Sequence, residues 1–383
     1  MSVSQASLGF VSDGVNFLIQ KLRSISWASD PFTSGARPLP LPDFPAPPME
    51  LKKRNWKQIL DAQSQYLPGE SCGAKYAALA RLAPVLPPKI ALIPSLFPIT
   101  DAQIKSLFSK NTLDLWDAVC EKGKSGLFHE KETAQLLDRL HDSIVADINS
   151  SQFTLTEEQK RFVDALKGKW LMVRSASNED GAKASGHSVN AGGNLSLGGI
   201  TKAELKWAIA QVVASYFSYQ SLKNRLPDHP FDKMPSCEVF IMEQITGNSI
   251  CSGVMMTHKP TWCPDHEGQI IHIAASWGFG GGVVSGKIPA DEWVLTEGQR
   301  YESIRKKPRH LTVLAGGATA EVTNSPEMAQ KPCLTDKQID QLKDAAAIIE
   351  KEFKTHMDVE FVFRETLYIV QAREIQAKEI DSP

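Results

Sequence analysis

The sequence lacks long apolar runs, paired cysteines and an excess of either charge. None of its apolar stretches approaches the roughly 20 residues that cross a bilayer, and its first residues lack the basic and apolar segments of a secretory signal. The 42 basic and 44 acidic residues leave a formal net charge of −2, which favours neither nucleic acid nor an anionic membrane as a partner. The six cysteines form no CxxC pair and show no zinc-ligand spacing, which indicates reduced, structural cysteines. We therefore expect a cytoplasmic protein.

Two common phosphate-binding patterns are also absent. The sequence contains no GxxxxGK[ST] segment, which excludes a P-loop. It contains no HRD or DFG segments of the protein-kinase type. A phosphate site in this chain would have to be built from scattered lysine, arginine, glycine and carboxylate residues.

The length of 383 residues fits one large domain with two lobes, or two domains. A proline-rich segment over residues 31–49 removes backbone donors and indicates an extended connector. We expect an N-terminal extension over residues 1–50, a first lobe over 51–235 and a second lobe over 236–383.

The hydrophobic patterns mix helices and strands, which predicts an α+β (mixed α/β) fold. Helices are predicted over residues 73–83, 202–222 and 335–353, and further helical patterns continue to residue 168. Strands are predicted over residues 171–174, 237–245, 250–257, 270–276, 359–363 and 367–371.

Two segments combine a basic residue with small residues. Lys75 follows Gly73 at the start of a predicted helix, where its ammonium group could meet phosphate beside helix N-terminal amides. Arg174 ends a predicted strand, and a polar, glycine-rich loop to residue 199 follows it, which suits a lid over phosphates. Alternatively, Lys75 is a solvated helix residue and the loop is an ordinary surface loop.

Two later segments complete the set. Five glycines lie within residues 278–286 beside a predicted strand, which indicates close backbone approach to a ligand or to a neighbouring strand. The segments 357–361 and 367–373 predict a β-hairpin in which Asp358 and Glu360 share one face. Gln371 and Arg373 share a face of the second strand. These four side chains form either a magnesium–phosphate corner or a salt-bridged hairpin.

In this order the segments resemble one family, that of phosphoenolpyruvate synthase, pyruvate phosphate dikinase, rifampin phosphotransferase and glucan water dikinase. The matching segments read SCGAKYAAL (71–79), VRSASNED (173–180), VFIMEQITGNSICSGVMMT (239–257), GFGGGVVSGKIPADEWV (278–294) and IEKEFKTHMDVEFVFRETLYIVQAR (349–373). The last is the most specific, and the set spans roughly residues 70–376. The resemblance implies a two-lobed ATP-grasp fold that binds ATP and Mg²⁺ between its lobes.

The resemblance also assigns roles to single residues. It implies phosphate contacts for Lys75 and Arg174, and a hinge contact with adenine or ribose for Glu243. It implies that Glu360 and Gln371 bind Mg²⁺, that Gln371 also belongs to the nucleotide site, and that Arg373 holds the transferring phosphate.

The phosphate loop adds three candidates. The resemblance implies that Gly186 and Asn190 lie in this mobile loop. His187 lies between them, and we interpret it either as a base or transient phosphoryl acceptor, or as a loop residue that faces solvent.

The chain departs from the family in three ways. The VRSASNED stretch is one residue shorter than the family's, and Gly281 replaces a family glutamate. No segment matches the family's phosphohistidine motif, so we expect a stand-alone nucleotide-binding domain without the phosphohistidine and phosphoenolpyruvate-binding domains.

Three functions fit these observations. The first is an ATP-dependent phosphotransferase with a small-molecule acceptor. The second is the ATP-loading half of a split dikinase that phosphorylates a histidine on a partner protein and releases AMP. The third is a nucleotide-binding regulatory protein with weakened catalysis.

Overall fold

The structure is a computed structural model and describes residues 73–150, 153–166, 169–176, 194–225, 231, 233–247, 250–257, 270–314 and 318–375. The predicted N-terminal extension over residues 1–50 lies outside these residues. Runs of helices and runs of strands follow one another along the described residues and build two antiparallel sheets and a separate hairpin. The predicted mixed α and β class is therefore confirmed. Over the ranges just given, no helix is long and apolar enough to cross a membrane.

The secondary structure begins directly at the first described residues. The helices are α1 (Ala74–Leu82), α2 (Asp101–Lys105), α3 (Lys110–Lys124), α4 (Lys131–Asn149), α5 (Glu157–Ala165), α6 (Leu205–Ser215), α7 (Tyr219–Arg225), α8 (Gly281–Val284), α9 (Pro326–Gln330) and α10 (Asp336–Phe353). The strands are β1 (Leu96–Ile99), β2 (Leu171–Ser175), β3 (Ser196–Ile200), β4 (Val239–Glu243), β5 (Cys251–Thr257), β6 (Ile271–Trp277), β7 (Asp291–Thr296), β8 (Gln299–Ser303), β9 (Arg309–Val313), β10 (Thr319–Thr323), β11 (Met357–Phe363) and β12 (Leu367–Glu374).

The first sheet has the order β1-β4-β2-β3. Helices α4 and α6 cover one of its faces, and their side chains join those of β2 in a buried apolar core that includes Leu140, Ile209 and Val173. The sequence analysis did not predict β1, because Pro98 interrupts its apolar run. The structure accommodates Pro98 because β1 is an edge strand, where a missing backbone donor costs no ladder bond on the open side.

The second sheet has the order β12-β11-β5-β6-β7-β8, and every pair in it is antiparallel. Helices α1 and α10 contribute to a second apolar core on one of its faces, with Leu79 and Ile349 both fully buried. Phe240 and Met242 of β4 belong to the same core. The second core therefore holds the two sheets together.

The sheets do not follow a simple division of the chain. Strand β4 comes after residue 235 but pairs with β1 and β2 in the first sheet, whereas α1 comes early and packs on β12 of the second. The division into lobes at residues 235 and 236 stays a prediction.

The single helix predicted over residues 202–222 is wrong in detail. A 3₁₀ turn over Lys202–Glu204 precedes α6, and a break at residues 216–218 separates α6 from α7. Two side chains explain the break. The buried Tyr216 hydroxyl donates to the Glu238 carbonyl and accepts from the Ala176 amide, and the Ser218 hydroxyl accepts from the Ser221 amide at the start of α7.

Candidate functional site

The β11–β12 hairpin brings together the four polar residues that the sequence placed there. Asp358 lies opposite Arg373, and Glu360 lies opposite Gln371. Arg373 Nε donates to Asp358 Oδ2 over 2.8 Å, and Gln371 Nε2 donates to Glu360 Oε1 over 3.0 Å. The predicted shared face of these side chains is therefore confirmed, although their roles are not tested by this geometry.

Arg174 reaches this hairpin from the other sheet. Its Nη2 atom lies 3.2 Å from Glu360 Oε2 and 2.5 Å from Gln371 Oε1. The Arg174 side chain is 8% exposed and that of Glu360 is 25% exposed, so solvent screens this ion pair less than a surface pair. The contact places a cation at the point where a carboxylate oxygen and an amide oxygen converge.

A β-bulge provides the third partner of Arg174. The register of the hairpin shifts between Glu360 and Phe361, because Glu360 pairs with Gln371 while Phe361 pairs with Ile369. Val370 is the extra residue, and its carbonyl accepts from Arg174 Nη1 over 2.7 Å. An unpaired bulge residue next to a site re-aims backbone groups in this way. The sequence analysis missed it, because alternation alone does not reveal a bulge.

Gly73 brings Lys75 next to β2. A Cβ atom on Gly73 would lie 1.4 Å from the Ala176 carbonyl oxygen, and Gly73 has a φ of 76°, so only glycine fits here. Helix α1 begins at the next residue, and Lys75 Nζ lies 3.3 Å from the hydroxyl of Ser175. Lys75 is thus held beside the residue that follows Arg174.

Glu243 ends β4 and is buried at 5% exposure. Its carboxylate forms an ion pair with Lys169, and its backbone amide donates to the Ser95 carbonyl over 2.8 Å. A contact with adenine or ribose remains a prediction. In this structure Glu243 is an ion-paired residue at the end of an inner strand of the first sheet.

Three predicted site residues lie outside the described residues, namely Gly186, His187 and Asn190. Gly281 begins the short helix α8, and a Cβ atom there would lie 2.7 Å from the Phe279 ring. A side chain at residue 281 would therefore require the Phe279 ring to move. The space next to the backbone of Gly281 is taken by an aromatic ring in this protein.

Two buried ionisable residues on the second sheet were not predicted as site residues. His272 on β6 and Glu292 on β7 are 5% and 6% exposed, and Arg305 Nη2 lies 3.6 Å from Glu292 Oε1. The alternation in IIHIAA would have placed His272 on one face of its strand. It would not have identified which face, because that depends on how β5, β6 and β7 pair across the sheet.

Charged side chains from the two packed sheets meet at their junction. Ligand sites often lie at an interface of this kind. The chain belongs to the family described as "Pyruvate phosphate dikinase, AMP/ATP-binding domain", whose pattern matches residues 69–382. The resemblance found in the sequence is therefore confirmed at the level of the family.

Several curated proteins are similar over part of the chain. A probable phosphoenolpyruvate synthase of Staphylothermus marinus is 31% identical over 156 residues, which covers 33% of this chain and 18% of that protein. The uncharacterised phosphotransferase YvkC of Bacillus subtilis is 27% identical over 46% of this chain and 21% of its own length. The rifampicin phosphotransferase of Streptomyces sviceus is 26% identical over 44% and 19%. The matched region thus spans about a fifth of each relative.

One solved structure with a detectable likeness is the D-alanine–D-alanine ligase of Helicobacter pylori. It is 12% identical over 68% of this chain and 64% of its own, with a TM-score of 0.26. A TM-score this low does not establish a common fold.

The Lys169–Glu243 pair leads to a prediction about stability. The Lys169→Met substitution leaves the Glu243 carboxylate, 7% exposed, without this cation, and we expect the free energy of unfolding to fall by about 2 kcal/mol. Lys160→Met is a matched control, since Lys160 pairs with a glutamate that is 74% exposed, and we expect a much smaller change because solvent screens that pair. Urea denaturation measures both. Equal effects of the two substitutions would contradict a stabilising role for the buried pair.

Proposed function

We propose that this chain binds Mg-ATP at the junction of its two sheets and transfers the γ-phosphoryl group directly to a small-molecule acceptor. The observation that carries the proposal is the contact of Arg174 with Glu360 and Gln371 across that junction. Phosphoryl transfer depends mainly on positioning and on neutralising charge, and the junction supplies groups for both. Membership in a family of AMP/ATP-binding domains supports the nucleotide.

The basic residues are distributed over both sides of the junction. Lys75 and Arg174 belong to α1 and β2, whereas Arg373 belongs to β12. ATP carries about four negative charges, and guanidinium groups bind phosphate oxygens through paired hydrogen bonds. In the proposed complex the phosphates replace Glu360 and Gln371 as partners of Arg174, and Arg373 holds the group being transferred.

The residues at the junction fit a magnesium ion that is shared with phosphates. Glu360 Oε2 and Gln371 Oε1 both contact one nitrogen of Arg174, so these two oxygens already converge on a cation. A carboxylate and an amide oxygen are ligands that Mg²⁺ accepts, with phosphates and water completing its coordination. When bound, the ion would neutralise phosphate charge.

The transfer of the γ-phosphoryl group requires little covalent chemistry from the protein's side chains. The acceptor oxygen forms a bond to the γ-phosphorus, the bond from that phosphorus to the β–γ bridging oxygen breaks, and ADP leaves. Arg174 and Arg373 hold the phosphates in line during this step. His187, which follows β2 in the sequence, remains a candidate for receiving the acceptor proton or for carrying the phosphoryl group transiently.

Two other functions each have an observation in their favour. The family carries the name of a pyruvate phosphate dikinase, which favours a chain that phosphorylates a histidine on a partner protein and releases AMP. Gly281 and the adjoining Phe279 ring leave the junction without the family's additional acid, which favours a nucleotide-binding regulatory protein.

Replacement of Arg373 tests its proposed contact with the transferring phosphate. The Arg373→Gln substitution keeps a hydrogen-bond donor near Asp358 but removes the charge, and we expect ATP to bind about 10- to 100-fold more weakly, the usual worth of a charged hydrogen bond. Isothermal titration calorimetry with Mg-ATP measures this. Arg81→Gln is the control, because Arg81 also pairs with a carboxylate, Glu352, but on an exposed surface. An unchanged ATP affinity in Arg373→Gln would contradict the assignment of Arg373 as a phosphate-binding residue.

The second prediction concerns the product. Purified chain incubated with Mg-ATP and a panel of small acceptors should release ADP and no AMP, measured by ion-exchange chromatography of the nucleotides. The Glu360→Gln variant should lose this turnover, because it removes the negative charge that would hold Mg²⁺. Release of AMP would favour the split dikinase, and tight ATP binding without turnover of any acceptor would favour the regulatory protein.

A further inference from the structure

A cavity of about 440 Å³ lies on the second sheet beside the candidate site. Its floor consists of side chains from β5, β6 and β7, including Val254, Met256, His272 and Glu292. Ile288, from the segment between α8 and β7, and Arg305, which follows β8, close its sides.

The register of the sheet places the cavity next to the polar hairpin. Val254 pairs with Glu360, and Met256 pairs with Asp358. Residues directly opposite each other on neighbouring strands face the same side of the sheet, and so do alternate residues along one strand. These four side chains therefore share one face. Neighbouring strands lie about 4.8 Å apart, so the near edge of the cavity is one strand from Glu360. A molecule in the cavity would have one end within reach of a phosphate at the junction.

The side of the cavity away from the hairpin is more polar than the side next to it. Ala274 pairs with Val254 on one side and with Glu292 on the other, so Glu292 is two strands beyond Val254. His272 lies on the same face and pairs with Met256. The cavity is therefore apolar on β5, the strand next to the hairpin, and carries a buried imidazole on β6 and a buried carboxylate on β7, the two strands beyond it.

Buried ionisable groups at strand centres are costly unless polar partners surround them. Arg305 offsets the charge of Glu292 at 3.6 Å, and the pair still faces the cavity. A carboxylate only accepts hydrogen bonds, so the group that Glu292 holds in the cavity is a donor such as a hydroxyl. An apolar body fits against Val254, Met256 and Ile288.

We propose that this cavity binds the phosphate acceptor, and that the acceptor is a small molecule with an apolar body and a hydroxyl group anchored by Glu292 and His272. The proposal rests on the proposed function, since it assigns the second substrate of that same site. The anchored hydroxyl lies away from the junction. A second hydroxyl, at the opposite end of the acceptor, points to Glu360, and its oxygen forms the bond to the γ-phosphorus as the bond to the β–γ bridging oxygen breaks and ADP leaves.

Two methionines provide a direct measurement. Met256 lines the cavity, whereas its neighbour Met255 is fully buried on the opposite face in the second core. Methyl-labelled methionine in the full chain, observed by NMR, therefore gives a reporter and an internal control, each assigned by its Met→Leu variant. The probes are benzyl alcohol and anisole. They are constitutional isomers, and only benzyl alcohol can donate a hydrogen bond.

We expect benzyl alcohol to shift the Met256 methyl resonance, to leave Met255 unchanged and to bind about tenfold more tightly than anisole, the order of one buried hydrogen bond. Glu292→Ala should reduce this preference to less than about threefold. Ala290→Phe, which fills the cavity from its rim, should abolish the shift and serves as the second variant if Glu292→Ala does not fold. Both variants should keep the wild-type affinity for ATP.

Equal binding of benzyl alcohol and anisole would overturn the hydroxyl anchor. Loss of the benzyl alcohol shift on saturation with ADP would assign the cavity to the nucleotide and would also overturn the proposal. A chain that binds ATP but shows no Met256 shift would overturn the acceptor cavity alone. A chain that shows the shift but binds no ATP would overturn the proposed function.

Discussion

The guanidinium group of Arg174 connects the two sheets of this protein at the point where its chemistry is proposed to occur. It belongs to β2 of the first sheet, and its three hydrogen-bond partners all belong to the hairpin of the second. Its Nε atom is buried and has no hydrogen-bond partner among the described residues. A buried cation is stable only while anions or dipoles surround it, so the junction keeps its geometry as long as Arg174 has these partners or equivalent ones. In the proposed complex, ATP phosphates would be equivalent partners of Arg174.

The surrounding structure explains how this contact is positioned. The Gly73 backbone lies so close to Ala176 that helix α1 is fixed against the end of β2, and α1 in turn packs on β12. The second core contains residues of both sheets, so the sheets cannot move apart without exposing apolar surface. The bulge at Val370 then directs one carbonyl to Arg174. Each of these features is far from Arg174 in sequence, yet each one restricts where its guanidinium group lies.

The sequence predicted the parts of the site that depend on local pattern. The alternation in MDVEF and LYIVQAR was enough to place Asp358, Glu360, Gln371 and Arg373 on one face of a hairpin. It could not predict the contact with Arg174, because that contact joins residues more than 180 positions apart. His272 and Glu292 were missed for a similar reason, since their common face depends on the pairing of β5, β6 and β7. Strand β1 was missed because the propensity of Pro98 opposes its position in a sheet, and the edge location removes that conflict.

The central claim is that ATP phosphates take over Arg174 from Glu360 and Gln371. A crystal structure of the chain with Mg²⁺ and a non-hydrolysable ATP analogue tests it most directly. The account predicts that the Arg174 guanidinium contacts phosphate oxygens, and that the two released oxygens lie about 2.1 Å from the metal ion. A nucleotide bound elsewhere, with Arg174 still on Glu360 and Gln371, would contradict it.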